Sequence, residues 1–388
     1  MDVILFDNKA VWADLLPLTF TRPTAALRVG IDTIAEKWQH FIAGTYSWRP
    51  AETYLDELFP CSKTANTPDT LYIAGNVLPD TALAQRIVSL APGEALTEPD
   101  GTIVAHRGQE ITAKSALAEA TVAIRQLYDI FLLNAEAIVA DFARLTAGRT
   151  SQPLSGTNTV VGDPSLIFLE EGARVEGAFI NTCGGPVYVG SGAEIMEGSM
   201  LRGPIALCTH ATVNMGSKIY GGTTIGPWCK VGGEVNNVVF QAYSNKAHDG
   251  FLGNAVVGQW CNIGAGAVAS NLKNDYTKIR LWNYPGHRFA RTSLQFCGLI
   301  MADHSKAGIN TMFNTATVLG VGVNVHGAGF PRNFVESFTE WSTTGVTHVD
   351  PKKFFDIAER VMARRHIALT DADRRMLTAV MEYSSRFK

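Results

Sequence analysis

The chain has 388 residues, 46% of them hydrophobic and 18% charged, and a formal net charge of −3. That length allows two or three domains, each able to bury a core, and the charge balance gives no reason to expect a nucleic-acid partner. No apolar run approaches the roughly 18 residues a spanning helix needs, and the six scattered cysteines read as buried thiols, so a cytoplasmic protein with no membrane partner is expected.

The start, Met1-Asp2-Val3-Ile4-Leu5-Phe6-Asp7, is acidic and only briefly apolar and does not read as a signal peptide. Residues 3–6 read as a short buried strand and residues 32–41 as a helix. Leu71-Tyr72-Ile73-Ala74 reads as a second strand running into Gly75-Asn76, with a helix over 82–90 and a third, weak strand at 103–105. From 115 to about 145 the apolar residues Leu127, Ile130, Phe131, Leu133 and Ile138 recur at three and four positions, the spacing of a helix. Glycine is sparse before residue 150 and dense from Gly156 to Gly329, a shift that marks a domain boundary.

Beyond that boundary the sequence repeats. Every sixth residue from 189 is aliphatic: Val189, Ile195, Leu201, Leu207, Val213, Ile219, Ile225 and Val231, with Gly190 and Gly226 directly after two of them. Leu252-Gly253, Val257-Gly258 and Ile263-Gly264 resume the pattern after an interruption, and Met301, Ala307, Phe313, Leu319 and Val325 carry it on. A period of six fits neither a helix nor a simple alternating strand. It fits a chain that turns a triangular corner every six residues and points one aliphatic side chain inward per side, so that stacked coils bury a continuous ladder. An ordinary all-β sandwich with frequent turns is the plainer alternative. The tail is expected to be helical: Asp350-Pro351 starts one helix, and Thr370 with Asp373 has capping-box spacing for the last. The expected organisation is an α/β domain at 1–112, a helical linker at 113–150, a β-helix at 151–333 and a helical tail at 334–388.

Two stretches resemble a known family. The first runs from Asn245-Lys246-Ala247-His248-Asp249-Gly250-Phe251-Leu252-Gly253 through Asn262-Ile263-Gly264-Ala265-Gly266 to Ser270-Asn271. It is similar to the acetyltransferase domain of the bifunctional N-acetylglucosamine-1-phosphate uridyltransferase/glucosamine-1-phosphate N-acetyltransferase, GlmU, where an SKAGH block leads into NIGAG. The second, Leu16-Pro17-Leu18-Thr19-Phe20-Thr21-Arg22-Pro23-Thr24 and on to Gly30, resembles the PLT…RPKALLPV segment of sugar-nucleotide pyrophosphorylases. The resemblance implies a GlmU-like protein with a shortened nucleotidyltransferase-like α/β domain, then a left-handed parallel β-helix of hexapeptide repeats, then C-terminal helices, assembled as a homotrimer with sites between neighbouring β-helices.

The resemblance also implies roles. His248 falls where the family places its catalytic base, and an imidazole suits proton transfer near neutral pH. Asn262 corresponds to an asparagine that contacts substrate, and Ala265, Gly266 and Asn271 mark the corner that meets acetyl-CoA. Lys230 and Lys246 are candidates to neutralise the phosphate of an amino-sugar phosphate or nucleotide sugar. Phe251 stands where the family has a tyrosine, which removes a hydroxyl from the substrate site. From the residues alone, His248 reads rather as a surface histidine on a corner, hydrogen-bonded to neighbouring backbone, and Asn262 equally as a stacked asparagine rung. His304 and His326 read as structural or ligand-adjacent.

In the first domain the resemblance names Arg22, Arg28 and Asn76 as nucleotide-binding candidates, with Asp7 and Asp80 as further phosphate or metal groups. Thr24 replaces the family lysine and Asn76 the metal-binding aspartate, so Mg²⁺ is implied only if this domain still transfers nucleotides. No metal site is specified otherwise. Acyl transfer to an amino sugar is the leading expectation; nucleotidyl transfer and a non-catalytic sugar-nucleotide-binding scaffold are the alternatives.

Overall fold

Val3, Ile4 and Leu5 are almost wholly buried, as a central strand covered on both faces requires. In the computed structural model, which describes residues 1–62 and 67–387, they form β1 (Asp2–Phe6). The chain divides into two compact units. The first comprises Met1–Leu27, Asp32–Asp129 and Asp371–Val380; the second comprises Arg28–Ile31, Ile130–Thr370 and Met381–Lys388.

The first unit is built on a six-stranded sheet. Its strands are β1, β2 (Thr45–Arg49), β3 (Leu71–Ala74), β4 (Glu94–Thr97), β5 (Ile103–Arg107) and β6 (Ala113–Ala116), in the order β2-β1-β3-β5-β4-β6. β1 runs parallel to β2 and β3; β5 runs antiparallel to β3 and β4. Its helices are α1 (Lys9–Asp14), α2 (Ile34–Phe41) and α3 (Thr81–Val88), each started by a side-chain cap from Asn8, Thr33 and Asp80 respectively. Thr33 and Glu36 form a reciprocal capping box. The three strands and two helices expected here are present. β6, inside the stretch expected to be helical, is exposed at every residue, so it carries no apolar alternation. Helix begins only at α4 (Asp129–Leu132) and α5 (Asn134–Thr146).

The second unit is a parallel β-helix. Short strands stack in parallel on three faces, and the six-residue frame steps through them in turn. Val189 pairs with Leu207 and Leu207 with Ile225 on one face; Ile195 with Val213 and Val213 with Val231 on another; Leu201 with Ile219 on the third. All eight are 2% exposed or less and join one core with Phe240, Val257, Met301, Leu319 and Val325. Burying an aliphatic side chain contributes about 1.5–3 kcal/mol, so the ladder is the main source of stability here.

The interruption in the repeat is a set of shortened corners. Ile219 pairs with Val235 and Val235 with Leu252, so the solenoid continues unbroken, but Val235 follows Val231 by four positions instead of six. The coils also run past residue 333. Val335 pairs with Leu319 and Trp341 with Val325, so residues 334–342, expected as helical tail, supply the last rungs. The tail helices are α6 (Pro351–Ala363), capped by Asp350, and α7 (Asp371–Ser384). All six cysteines are free thiols; four are buried as expected, whereas Cys61 and Cys183 are exposed.

One face of the β-helix is covered from within its own unit. α5 lays Ile138 and Phe142 against Phe168, Tyr188 and Ala206. Asn134 accepts from the Gly30 amide (2.6 Å), Asp141 from the Ile31 amide (2.8 Å) and Gln241 from the Arg28 amide (2.7 Å), which laces Arg28–Ile31 onto the same face.

The glycines that follow ladder residues have a steric cause. A Cβ on Gly226 would lie 2.2 Å from the Gln241 carbonyl oxygen and 2.3 Å from that of Phe240, backbone of the next coil. Gly226→Ala is therefore expected to force the coils apart and cost about 1–3 kcal/mol. A denaturant unfolding curve checks it: an unchanged midpoint would show that the corner has room to spare.

Candidate functional site

Of the expected site residues in the β-helix, His248, Ala265, Gly266 and Asn271 lie at corners where the chain passes from one face to the next, and Lys230, Lys246, Phe251 and Asn262 lie in strands. The rung Asn245–Lys246 leads into the corner 247–250, and the rung Asn262–Ile263 leads into the corner 264–267 of the next coil. The two corners stack directly: the Gly266 amide donates to the Asp249 carbonyl (3.0 Å), and the Gly232 amide of the coil below donates to the Lys246 carbonyl (2.7 Å). The corner that carries His248 thus lies against the corner that carries Ala265 and Gly266.

The His248 side chain is exposed and has no hydrogen-bond partner among the described residues. It is free to meet a ligand from solvent. Asp249, also exposed, sits next to it and was missed by the sequence reading; an acidic corner residue carries no pattern of its own. Asn214 of a neighbouring coil donates to the Ala247 carbonyl (2.8 Å) and steadies the corner.

Gly266 has φ +70°, a left-handed conformation that favours glycine, and a Cβ there would meet the Asn310 side-chain oxygen. The amides of Gly264 and Gly266 are already used to stack coils, to the Ala307 and Asp249 carbonyls. This corner can offer a thioester ligand close backbone approach, but not those two N–H groups. Asn271 lies at the far end of the following strand, Val268–Ala269, and its amide donates to Asn254 (2.8 Å). It is a corner away from Gly266. Phe251 begins the strand after the His248 corner and is half-buried.

Asn262 and Lys230 are exposed and share the outward row of one face: Lys230 pairs with Asn245, and Asn245 with Asn262. Lys246 does not belong with them. It pairs with Val231 in the inward row, 1% exposed, inside the β-helix. Its ammonium donates to the Gly232 carbonyl (3.0 Å) and the His248 carbonyl (2.7 Å). A buried ammonium held by two carbonyls cannot serve a phosphate from solvent, so Lys246 is a structural cation beneath the His248 corner. Of the other histidines, His304 is buried and stacks near Trp260, and His326 hydrogen-bonds Glu340 (2.8 Å).

The nucleotide candidates have different surroundings. Asn76 lines a cavity of about 510 Å³ in the first unit, with Asn8, Asp14, Glu98, Asp100 and Arg125. Arg125 and Glu98 are paired there (2.9 Å) and were not expected, since neither falls in a recognisable motif. Asp7 instead accepts from the Thr24 amide (2.8 Å) and the Ala51 amide (3.0 Å), and burial pushes its carboxyl up to about 6. Asp80 caps α3. Arg22 is buried against Thr21. Arg28 belongs to the second unit, where its guanidinium meets the Ile31 and Gln241 carbonyls. Among the described residues no three His, Cys, Asp or Glu side chains gather as a protein-only metal cage requires. Mg²⁺ commonly binds through one or two carboxylates plus substrate phosphates, and of the acidic groups only Asp14, Glu98 and Asp100 border the cavity.

Residues 3–150 match the sugar nucleotidyl transferase family. The bifunctional protein GlmU of Gloeobacter violaceus is 24% identical over 227 residues, which are 53% of this chain and 45% of that protein. GlmU of a Nostoc species is 28% identical over 182 residues, 43% of this chain and 35% of that protein. The chain thus spans less than half the length of the curated relatives it matches. Among solved structures, the polysialic acid O-acetyltransferase OatWY aligns over 50% of this chain and 85% of that chain, at 12% identity and a TM-score of 0.21. No helix among the described residues is long and apolar enough to cross a membrane.

The buried ammonium has a titration consequence. Burial depresses the Lys246 pKa to about 8, against about 10.4 for an unfolded lysine. Between those values the unfolded chain binds the proton and the folded chain does not, so stability should rise as pH goes from about 8 to 10 and be flat for this group below 8. Lys246→Met should abolish that segment of the slope. Unfolding free energies measured at several pH values in both proteins check it; identical slopes would mean that Lys246 is not the buried cation described.

Proposed function

We propose that this chain, whose likenesses support a GlmU-like family, transfers an acetyl or other acyl group from coenzyme A to the amine of an amino-sugar phosphate or nucleotide sugar. Transferase activity is supported by the family match of residues 3–150 and by the GlmU relatives. The observation that carries the acyl reading is an exposed imidazole, without a hydrogen-bond partner among the described residues, on a corner whose backbone stacks on the Ala265-Gly266 corner.

In this reading His248 takes the amine proton as the nitrogen attacks the thioester carbonyl; the C–S bond then breaks and the thiol leaves with a proton. Asn262 and Lys230, in one outward row, orient the acceptor and meet its phosphate. Phe251 gives the acceptor pocket an apolar wall in place of a hydroxyl. Ala265 and Gly266 admit the pantetheine arm closely, and Asn271 lies farther along it.

The acceptor site is completed by a second copy of the chain. The strand face that follows the His248 corner carries an apolar outward row in its early coils, with Phe179 51% and Met200 53% exposed. They line a groove of about 490 Å³ with Val161, Tyr220, Arg202 and Lys218. A homotrimer would cover this row, as β-helix faces left open are otherwise liabilities.

A second reading is favoured by the family match of residues 3–150 and by the polar cavity holding Asn76, Glu98 and Arg125: nucleotidyl transfer from a nucleoside triphosphate to a sugar phosphate, with Mg²⁺. Thiol release from acetyl-CoA that requires glucosamine-1-phosphate supports the first reading; pyrophosphate release that requires UTP and Mg²⁺ supports the second. Ligand binding with neither product would favour a non-catalytic sugar-nucleotide-binding scaffold.

His248→Ala should lower thiol release by about a hundredfold or more, the scale of a general base. An unchanged rate removes His248 from the reaction. Phe179→Glu with Met200→Glu should convert the trimer to monomer in sedimentation velocity, whereas a trimer that survives both charges would place the interface elsewhere.

A further inference from the structure

Between Asn271 and the rung at Ile300–Met301 the solenoid is interrupted by an insertion, residues 272–297, that the hexapeptide frame does not require. It is rooted at Asn271, whose carbonyl accepts from the Cys297 amide (2.9 Å), and an isolated bridge joins Leu272 to Phe296. Beyond the root it forms an antiparallel hairpin of β7 (Arg280–Asn283) and β8 (Arg288–Arg291).

The hairpin is fastened down. Trp282 stacks on Phe334 (4.1 Å between centroids) and meets Phe289 edge-on (5.2 Å). Tyr284, 2% exposed, meets Phe334 and Phe387 edge-on. An element packed so closely holds its backbone in a set position on the β-helix.

Its charge is one-sided. The insertion holds Lys273, Lys278, Arg280, Arg288 and Arg291 against the single acid Asp275, in a chain whose net charge is −3. In register, Arg280 lies directly across from Arg291. Residues opposite each other in a two-stranded ribbon share a face, with Cβ atoms about 5 Å apart, and like charges there are destabilising. A chain that needed only a stable hairpin would place an acid at one of the two positions. Instead Arg280, Arg288 and Arg291 are all exposed, and none has a carboxylate partner among the described residues; Arg280 donates only to the Phe289 carbonyl (3.3 Å).

We propose that the β7–β8 hairpin is a binding site for a phosphorylated ligand, with Arg280 and Arg291 as its paired contacts. Guanidinium groups grip phosphate oxygens bidentately, and a bound phosphate would turn the cross-strand repulsion into a bridge. The proposal rests on the acyl-transfer reading in one respect: because the hairpin is rooted at Asn271, the phosphates of coenzyme A are the source it favours, and the phosphate of the acceptor sugar is the other.

The test reads binding, not turnover, so it stands whether or not His248 is a base. Calorimetry on the full chain at low, fixed ionic strength measures coenzyme A, pantetheine (which lacks its phosphates), glucosamine-1-phosphate and inorganic tripolyphosphate. Arg280→Gln with Arg291→Gln should weaken coenzyme A at least about tenfold, the scale of one charge-assisted hydrogen bond, and leave pantetheine unmoved. The double lysine variant, which keeps both charges, should retain most of the affinity. The thermal midpoint of the double glutamine variant should not fall, since a repulsion has been removed, whereas tripolyphosphate should raise that of the native chain. A loss confined to glucosamine-1-phosphate would support the site and assign it to the acceptor. Equal affinities for every phosphate probe in native and glutamine proteins would overturn it.

Discussion

The second unit depends on one constraint: each inward position must hold a side chain that packs on the same position of the coils above and below. Val189, Leu207, Ile225, Phe240, Val257, Met301, Leu319 and Val335 form such a row, and almost nothing but apolar carbon enters it. Because each coil touches only its neighbours, the stability of the unit is close to a sum over rungs and their interfaces. The corners contribute little to that sum. They are free to vary wherever the backbone can turn, and this is why the candidate chemistry, His248 with Ala265 and Gly266, and the long insertion all lie at corners.

The ladder was legible because period six is unlike any other pattern of apolar residues. What hid part of it was its own irregularity. The corner between Val231 and Val235 is short, the frame slips, and the next inward position on the face of Val231 is Lys246. A lysine in an unread frame looks like a solvated surface residue, and only the pairing of Val231 with Lys246 shows otherwise. Asn262 and Lys230 occupy the outward row, one residue before the inward Ile263 and Val231.

The first unit was legible where burial is two-sided. β1 and β3 are continuous apolar runs and were expected; β6 is exposed throughout, and of β2 only Ser47 is buried, so edge strands left no trace. The resemblance that marked Arg22, Arg28 and Asn76 is carried by a sequence pattern, which does not say which of those side chains faces a cavity. Asn76 still borders a polar cavity, but Arg28 is now a peg for its own segment, held with Gln241. A motif can persist because its turns and caps are needed for folding after its charges have been reassigned.

That distinction applies to charge throughout the chain. Lys246 is a cation taken out of water and satisfied by two carbonyls, which lowers its pKa and binds it to one conformation. Arg280 and Arg291 are cations left in water, set opposite each other without an acid. The first arrangement costs stability on account of its charge but holds the corner beneath His248; the second keeps its charge available at a cost in hairpin stability. Folding alone explains the buried lysine, since its two hydrogen bonds fix a turn. It does not explain the arginine pair, for which an acid at either position would have been the more stable choice. On the proposed reading, the group that offsets this pair is a phosphate of the bound ligand.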